Sequence, residues 1–318
     1  MAALAAANAG FAPAYGADAV SARAADLVRA WLDADVEVRF VASGTAANAV
    51  GLAALCRPFE AVVAHQHAHI CTDEAGAPGF FGHGLGLIGL PGGSGRIDPG
   101  ALDAALAGAD LAHRQSPGAL SLTNATEYGT VYAAEALAAL TGAARARGLG
   151  VHLDGARLAN AAAAGFDVTA LGQLGVDLLV IGGAKAGMPP TEAIAIFDRP
   201  LARRFDARLK QAGQLPSKGR FLAAPFIGML EDGAILRYAA HANAMARRLA
   251  GLSPFPVRHP VEANGVFVDM DDAALGALQA DGWVVHRFLD GSVRLMCSWA
   301  TTAEAVDELA AALQALRP

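Results

Sequence analysis

The sequence predicts an α/β fold in which a large, mostly parallel sheet domain, covered by helices on both faces, is followed by a smaller C-terminal α/β domain. Three observations predict it. Short apolar runs of strand length recur through the first two hundred residues, and helical stretches alternate with several of them. Past about residue 200 the pattern changes to long, charged amphipathic segments and then to a second group of short strands. With 318 residues the chain is longer than a single core usually serves, which agrees with two domains.

The opening MAALAAANAGFAP is apolar but lacks the basic start and Leu-rich centre of a signal peptide, so it reads as a short helix stopped by Gly10 and Pro13. Strands are expected at 36–43, 60–65, 118–123, 149–154, 176–183 and 193–197, each short and rich in β-branched residues. Helices are expected at 45–56, 134–147 and 156–164. Gly84 to Gly89 has the glycine spacing of a dinucleotide site, but Pro91, Gly92 and Gly93 follow at once and leave no helix start to receive a pyrophosphate. That segment reads as a glycine-interrupted strand and turn, and a nicotinamide cofactor is rejected. Amphipathic segments at 201–211 and 217–250 come next, then strand-like runs at 257–259, 264–270, 283–288 and 292–297, and a closing helix over 302–316. The expected division is an N-terminal arm over 1–15, a large domain over 16–235 and a small domain over 236–318.

Lys and Arg total 24 against 30 Asp and Glu, with no long run of like charge, so no nucleic-acid partner is expected. Cys56, Cys71 and Cys297 have neither zinc nor disulfide spacing, which suits a reducing cytoplasm. No apolar stretch has the length and uniformity of a membrane span, so a soluble protein is expected.

Ser43, Gly44 and Thr45 stand where a strand meets an Ala-rich helix. A helix start exposes unpaired N–H groups and a positive dipole end, which suits a phosphate; an ordinary Ser cap is the alternative. Asp154 ends the apolar strand LGVHL, at the edge where open α/β sheets bind ligands. A protonated ring nitrogen would give that carboxylate a partner, and Arg157 could fork onto a substrate carboxylate; a helix cap with Arg157 as its ion-pair partner remains open. Lys185 follows VDLLVIGG between glycines, where desolvation would free its amine to attack a carbonyl; a surface-loop lysine is the alternative.

His65, His67 and His69 occupy alternate positions and, if strand-like, share one face. A metal site there is the weaker reading, with only Asp73 and Glu74 as recruits, so no metal is expected. The preferred use is His69 stacked over a flat cofactor ring, with His65 and His67 hydrogen-bonded in place. Arg294, in the apolar run VRLMCSW, is either snorkelling or gripping an anion in a cleft. Lys218 and Arg220, near a helix start, would assist a phosphate or lie on a solvated face.

Together FVASGTAANAVGLAAL, HAHICTDEAGAPGFF, SLTNATEYGTVY, VHLDGARLANA, GGAKAG, RFLAA and HANAMARRLA, in this order and spacing from about residue 8 to residue 307, resemble the low-specificity L-threonine aldolases and the similar phenylserine aldolases. The resemblance implies the aspartate-aminotransferase-like fold type I, a homodimer or homotetramer with sites at subunit interfaces, and pyridoxal 5'-phosphate as cofactor. It implies cleavage of β-hydroxy-α-amino acids to glycine and an aldehyde; another lyase or a hydroxymethyltransferase of the same fold, or a non-catalytic homologue, is the alternative. By the same resemblance Lys185 is the Schiff-base lysine, Asp154 the partner of the ring nitrogen, and His69 the stacked residue with a part in proton transfer. Gly44 and Thr45 would bind the phosphate, and Arg157 and Arg294 the substrate carboxylate. Family members begin with a Ser-Asp-Asn segment that precedes the point matching Met1, and they carry Ser or Thr where this chain has Ala184 and a polar residue where it has Ala186.

Overall fold

The structure, a computed structural model, describes residues 1–107 and 112–316. Its main sheet contains β1 (Glu37–Val41), β2 (Glu60–His65), β3 (Gly86–Leu90), β4 (Ser116–Thr123), β5 (Gly150–Gly155), β6 (Leu178–Gly182) and β7 (Glu192–Ile196), in the order β1-β7-β6-β5-β4-β2-β3. Only β7 runs against its neighbours. The physical reason lies in the connection, since residues 183–191 are too few for the crossover that a parallel return needs. All residues of β6 and β7 are buried, which explains why these strands read as continuous apolar runs rather than alternating ones.

The expected strands and the helices that follow them are present, and β3 pairs with β2 in parallel, as a strand and turn rather than a dinucleotide loop. Three expectations are corrected. The segment 217–250 is two helices, Arg220–Leu230 and Ala234–Leu252, separated where Gly233 takes φ +72°, a left-handed conformation that ends the first run. Residues 257–259 form no strand but one bridge, Val257 to Val268, because Pro256 and Pro260 bracket them. The run at 283–288 shrinks to His286–Arg287. Several helices lack any sequence expectation, among them Ala19–Leu32, capped by Asp18 and burying Ala24, Ala25, Val28 and Leu32, Pro99–Ala107, and Asp272–Ala280, capped by Asp271.

A second sheet, antiparallel throughout, contains β8 (Gly265–Val268), β9 (His286–Arg287) and β10 (Val293–Met296) in the order β8-β10-β9. It packs on the helices Ala234–Leu252 and Ala303–Ala315 through its own apolar cluster, which includes Leu249, Val266, Val268, Leu295 and Leu313.

Because β2, β4, β5 and β6 are parallel, the loops after them fall along one edge of the sheet, and β1 delivers its carboxyl end there too. Two glycines bring those loops into backbone contact. A Cβ on Gly155 would lie 2.3 Å from the Val180 carbonyl oxygen, and one on Gly182 would lie 2.1 Å from that of Ala156. Neither oxygen can move without displacing a strand end. Gly182→Ala is therefore expected to lower the free energy of unfolding by about 1–3 kcal/mol, read as a lower denaturant midpoint at unchanged slope.

Candidate active site

A cavity of about 600 Å³ opens at this edge, bordered by His69, Asp73, Glu127, Arg157 and Lys185 from the main sheet's loops and by His286, Phe288 and Arg294 from the second sheet's side. A smaller cavity of about 390 Å³, bordered by Tyr15, Ser21, Arg39 and Asp206, holds none of the predicted residues.

Lys185 sits in the tight turn Ala184–Ala186, which closes at Gly187 with φ +102°. The Gly187 backbone passes so close beneath Trp299 that a Cβ would meet the indole ring at 3.0 Å. From the antiparallel β7, Glu192 pins the turn by accepting the Gly183 N–H at 2.6 Å. Burial pushes the Lys185 ammonium below its ordinary pKa and Arg157 pushes it further, while Asp154, Glu192 and Glu127 oppose both. Glu192 itself is pushed up to about 7 by burial, against the Gly183 N–H and Lys185.

Asp154 closes β5 and is buried. Its Oδ1 accepts the Ala156 N–H at 2.9 Å, and its Oδ2 accepts the Asn48 side-chain amide at 2.9 Å. The same Asn48 amide donates to Glu74 Oε1 at 2.8 Å, and that oxygen is hydrogen-bonded to His69 Nδ1 at 2.9 Å. One chain of contacts thus runs from His69 through Glu74 and Asn48 to Asp154. The bond to Glu74 raises the His69 pKa against the effect of burial, and the Asp154 charge adds to the rise. Below Asp154 on the same face of β5, His152 is fully buried against Ser121 Oγ at 2.9 Å, and burial holds it well below the ordinary imidazole range.

Arg157 does not pair with Asp154; among the described residues its guanidinium has no hydrogen bond or ion pair, which removes the ion-pair alternative. Burial lowers its pKa, and the Arg294 charge lowers it further. Arg294 lies 4.9 Å from the Phe288 ring centroid and within 3.1 Å of His286 Nε2, and burial lowers its pKa while Asp73 opposes. Two guanidinium groups therefore share one cavity with little anionic compensation, an arrangement that favours an anionic ligand.

Ser43 spends its hydroxyl as a cap, accepting the Ala46 N–H at 3.3 Å, while the space before Gly44 is clear of atoms within 4 Å. Ser43, Gly44 and Thr45 do not border the cavity, but Asn48, one turn further along that helix, reaches Asp154. Lys218 is exposed, and Arg220 starts the helix Arg220–Leu230 with its Nε buried and, among the described residues, unpartnered; neither borders the cavity.

The three histidines do not share a strand face. β2 ends at His65, a turn closed by the Ala68 N–H to the His65 carbonyl follows, and His69 opens a short helix. His65 is hydrogen-bonded to the Gly92 carbonyl at 3.1 Å and His67 to the Tyr128 hydroxyl at 2.7 Å, so only His69 faces the cavity. Among the described residues no group of three or more His, Cys, Asp or Glu side chains is placed to hold a metal ion. Sequence reasoning missed Asn48, Glu127 and Glu192, and considered Glu74 only as a metal recruit. The signal was a polar residue inside a buried Ala-rich helix, a carboxylate in the loop after β4 and another opening the apolar strand β7.

Residues 1–273 match the beta-eliminating lyase family. The low-specificity L-threonine aldolase of Pseudomonas aeruginosa is 47% identical over 317 residues, covering 97% of this chain and 91% of that protein. The protein of the same description from Pseudomonas sp. (strain NCIMB 10558) is 45% identical over 318 residues, covering 98% and 92%. Among solved structures, a threonine aldolase of Leishmania major superposes with a TM-score of 0.91 at 28% identity, over 99% of this chain and 94% of that one. Aspartate aminotransferase of Thermus thermophilus, at 18% identity and a TM-score of 0.73 over 99% and 86%, shares the fold. The fold is thus the expected aspartate-aminotransferase-like type I, and the chain belongs to the beta-eliminating lyase family, within its group of low-specificity L-threonine aldolases.

Proposed function

We propose that this chain is a pyridoxal-phosphate-dependent carbon–carbon lyase that splits β-hydroxy-α-amino acids of the threonine and phenylserine type into glycine and an aldehyde. The observation that carries the reading is the convergence on one cavity of a lone desolvated amine, an unpartnered guanidinium and a histidine tied to a buried carboxylate network. The same residues fit a flat phosphorylated pyridine: Asp154 is fixed by two donors, and among the described residues Lys185 has no ion pair and nothing blocks the approach to Gly44.

In this reading Lys185 holds the cofactor covalently, and its lowered pKa keeps part of the amine free to attack. Asp154, anchored by Asn48 and the Ala156 N–H, faces the ring nitrogen, and the start of the helix Gly44–Leu55, with Ser43 and Thr45, receives the phosphate. When bound, pyridoxal phosphate supplies a protonated ring that disperses electron density from the carbon bearing the amine. His69 would border the bound cofactor and take part in proton transfer beside it. Arg157 and Arg294 orient the substrate by its carboxylate, and the aromatic wall at Phe288 excludes water.

The reading includes assembly as a homodimer or homotetramer with shared sites. It also includes a division near residue 235, supported by the separate apolar cluster around β8 and β10. Three unpaired cysteines support a reducing compartment, and among the described residues no helix is long and apolar enough to cross a membrane.

Three outcomes are expected. Borohydride reduction of the cofactor-loaded protein and peptide mapping place the label on Lys185, while threonine or phenylserine yields aldehyde and glycine in equal amounts without ammonia; a label on any other lysine rejects the assignment. Arg157→Ala lowers kcat/KM on the order of 10- to 100-fold, chiefly through KM for the amino acid, as loss of a charge-assisted contact would. Because Glu74 raises the His69 pKa, Glu74→Gln moves the His69 imidazole resonance to a titration at lower pH in the cofactor-free protein.

A further inference from the structure

Glu127 stands out because it borders the cavity and yet has none of the roles given above. It lies in the loop after β4, next to Asp154 through the pairing of Thr123 with that residue. Its Oε1 accepts two hydrogen bonds, from the His69 backbone N–H at 3.0 Å and from the Thr123 hydroxyl at 3.0 Å. Its Oε2 is buried and has no partner among the described residues. Arg157 and Lys185 border the same cavity, yet Glu127 pairs with neither. A buried carboxylate oxygen normally finds a donor, so one held free beside two cations is placed for a group that arrives with the ligand.

We propose that Glu127 is the catalytic base of the cleavage, its Oε2 accepting the β-hydroxyl proton of the amino acid; the inference rests on the aldolase reading above. The atoms balance. The proton leaves the β-oxygen for Oε2, the O–H electron pair forms the aldehyde C=O bond, and the Cα–Cβ bond breaks with its pair left on the glycyl fragment. The same proton, returned to Cα, completes glycine and restores the carboxylate. His69 is the less suited acceptor, since Glu74 occupies its Nδ1 and favours the protonated imidazole.

The groups around Glu127 agree with this use. Burial and the neighbouring Asp154 push it up to about 7, against the N–H donors and Thr123, so it is part ionised at neutral pH. Cys71, Tyr128 and Tyr132 also face it, and all three have raised pKa values, so they stay neutral and add no competing charge.

The test uses Glu127→Gln, which keeps an Oε1 acceptor for His69 and Thr123 and removes only the base. In the cofactor-loaded enzyme kcat should fall on the order of 100- to 10,000-fold with KM little changed, and the loss of kcat as pH drops through about 7 should disappear. In the cofactor-free protein, infrared titration should lose one carboxylic-acid band that ionises near neutrality. Formate should partly restore Glu127→Ala. If the Gln variant melts far below the parent, Glu127→Asp decides: a reduced kcat that keeps the acid limb supports the assignment. A Gln variant with parental kcat and pH profile, or an Asp variant lacking the acid limb, overturns it while leaving the aldolase reading intact. A parent enzyme that releases no aldehyde from any β-hydroxy amino acid overturns both.

Discussion

The Asn48 side-chain amide is the contact on which the site depends. Its two hydrogens bridge Glu74 and Asp154, carboxylates from segments far apart in sequence that would otherwise repel across a buried space. The same principle recurs around the cavity. Glu192 is held by a backbone N–H, and Glu127 by a backbone N–H and a hydroxyl. Each of these carboxylates has at least one neutral donor, and among the described residues no Arg or Lys is spent on the task. A buried ion pair would have compensated the charges more simply, but it would also have neutralised the cations that a ligand needs. Among the described residues Arg157, Lys185 and Arg294 form no ion pair, although Glu127 keeps its Oε2 without a donor.

That arrangement needs the sheet's direction and its glycines. Parallel strands set the ends of β2, β4, β5 and β6 along one edge, while the short return into the antiparallel β7 puts Glu192 under the Lys185 turn. Gly155 and Gly182 then let the Asp154 and Lys185 loops touch through their backbones. The second sheet closes the remaining side, where Trp299 lies over Gly187 and β10 carries Arg294 to the cavity. The amine and the carboxylate therefore stand on one sheet edge, whereas Arg294 is carried by the second sheet.

The parts of the site legible in the sequence were those that follow an apolar strand directly. Asp154, Arg157 and Lys185 each come within three residues of a strand end, and a parallel sheet collects such ends without further information. Asn48, Glu74, Glu127 and Glu192 were not legible as a set, because each matters through a partner supplied by folding. Asn48 and Asp154 stand 106 positions apart, and nothing local in an Ala-rich helix announces that an amide will bridge two carboxylates. The histidine spacing misled for the opposite reason. Alternation suggested a strand, but strand length was limited by the turn after His65, which the side-chain pattern does not encode. In the same way apolar periodicity runs across Gly233, whose left-handed backbone splits one expected segment into two helices.

The free cations give the cavity an electrostatic direction. Burial weakens the charged form of Arg157, Arg294 and Lys185 alike, and Arg294 weakens that of Arg157 and Arg157 that of Lys185 further, so the cavity favours an anion. An anion that enters relieves desolvation and repulsion together, and it does so without breaking any existing ion pair. On the proposed reading, the gain is largest for a ligand whose negative charge meets the two guanidinium groups while its neutral or cationic portion meets the carboxylates. A zwitterionic amino acid has that distribution, with the carboxylate and ammonium one carbon apart. On the proposed reading, the donors that hold Asp154, Glu74 and Glu127 keep these carboxylates from pairing with the cations, and an amino acid would meet that separation of charge.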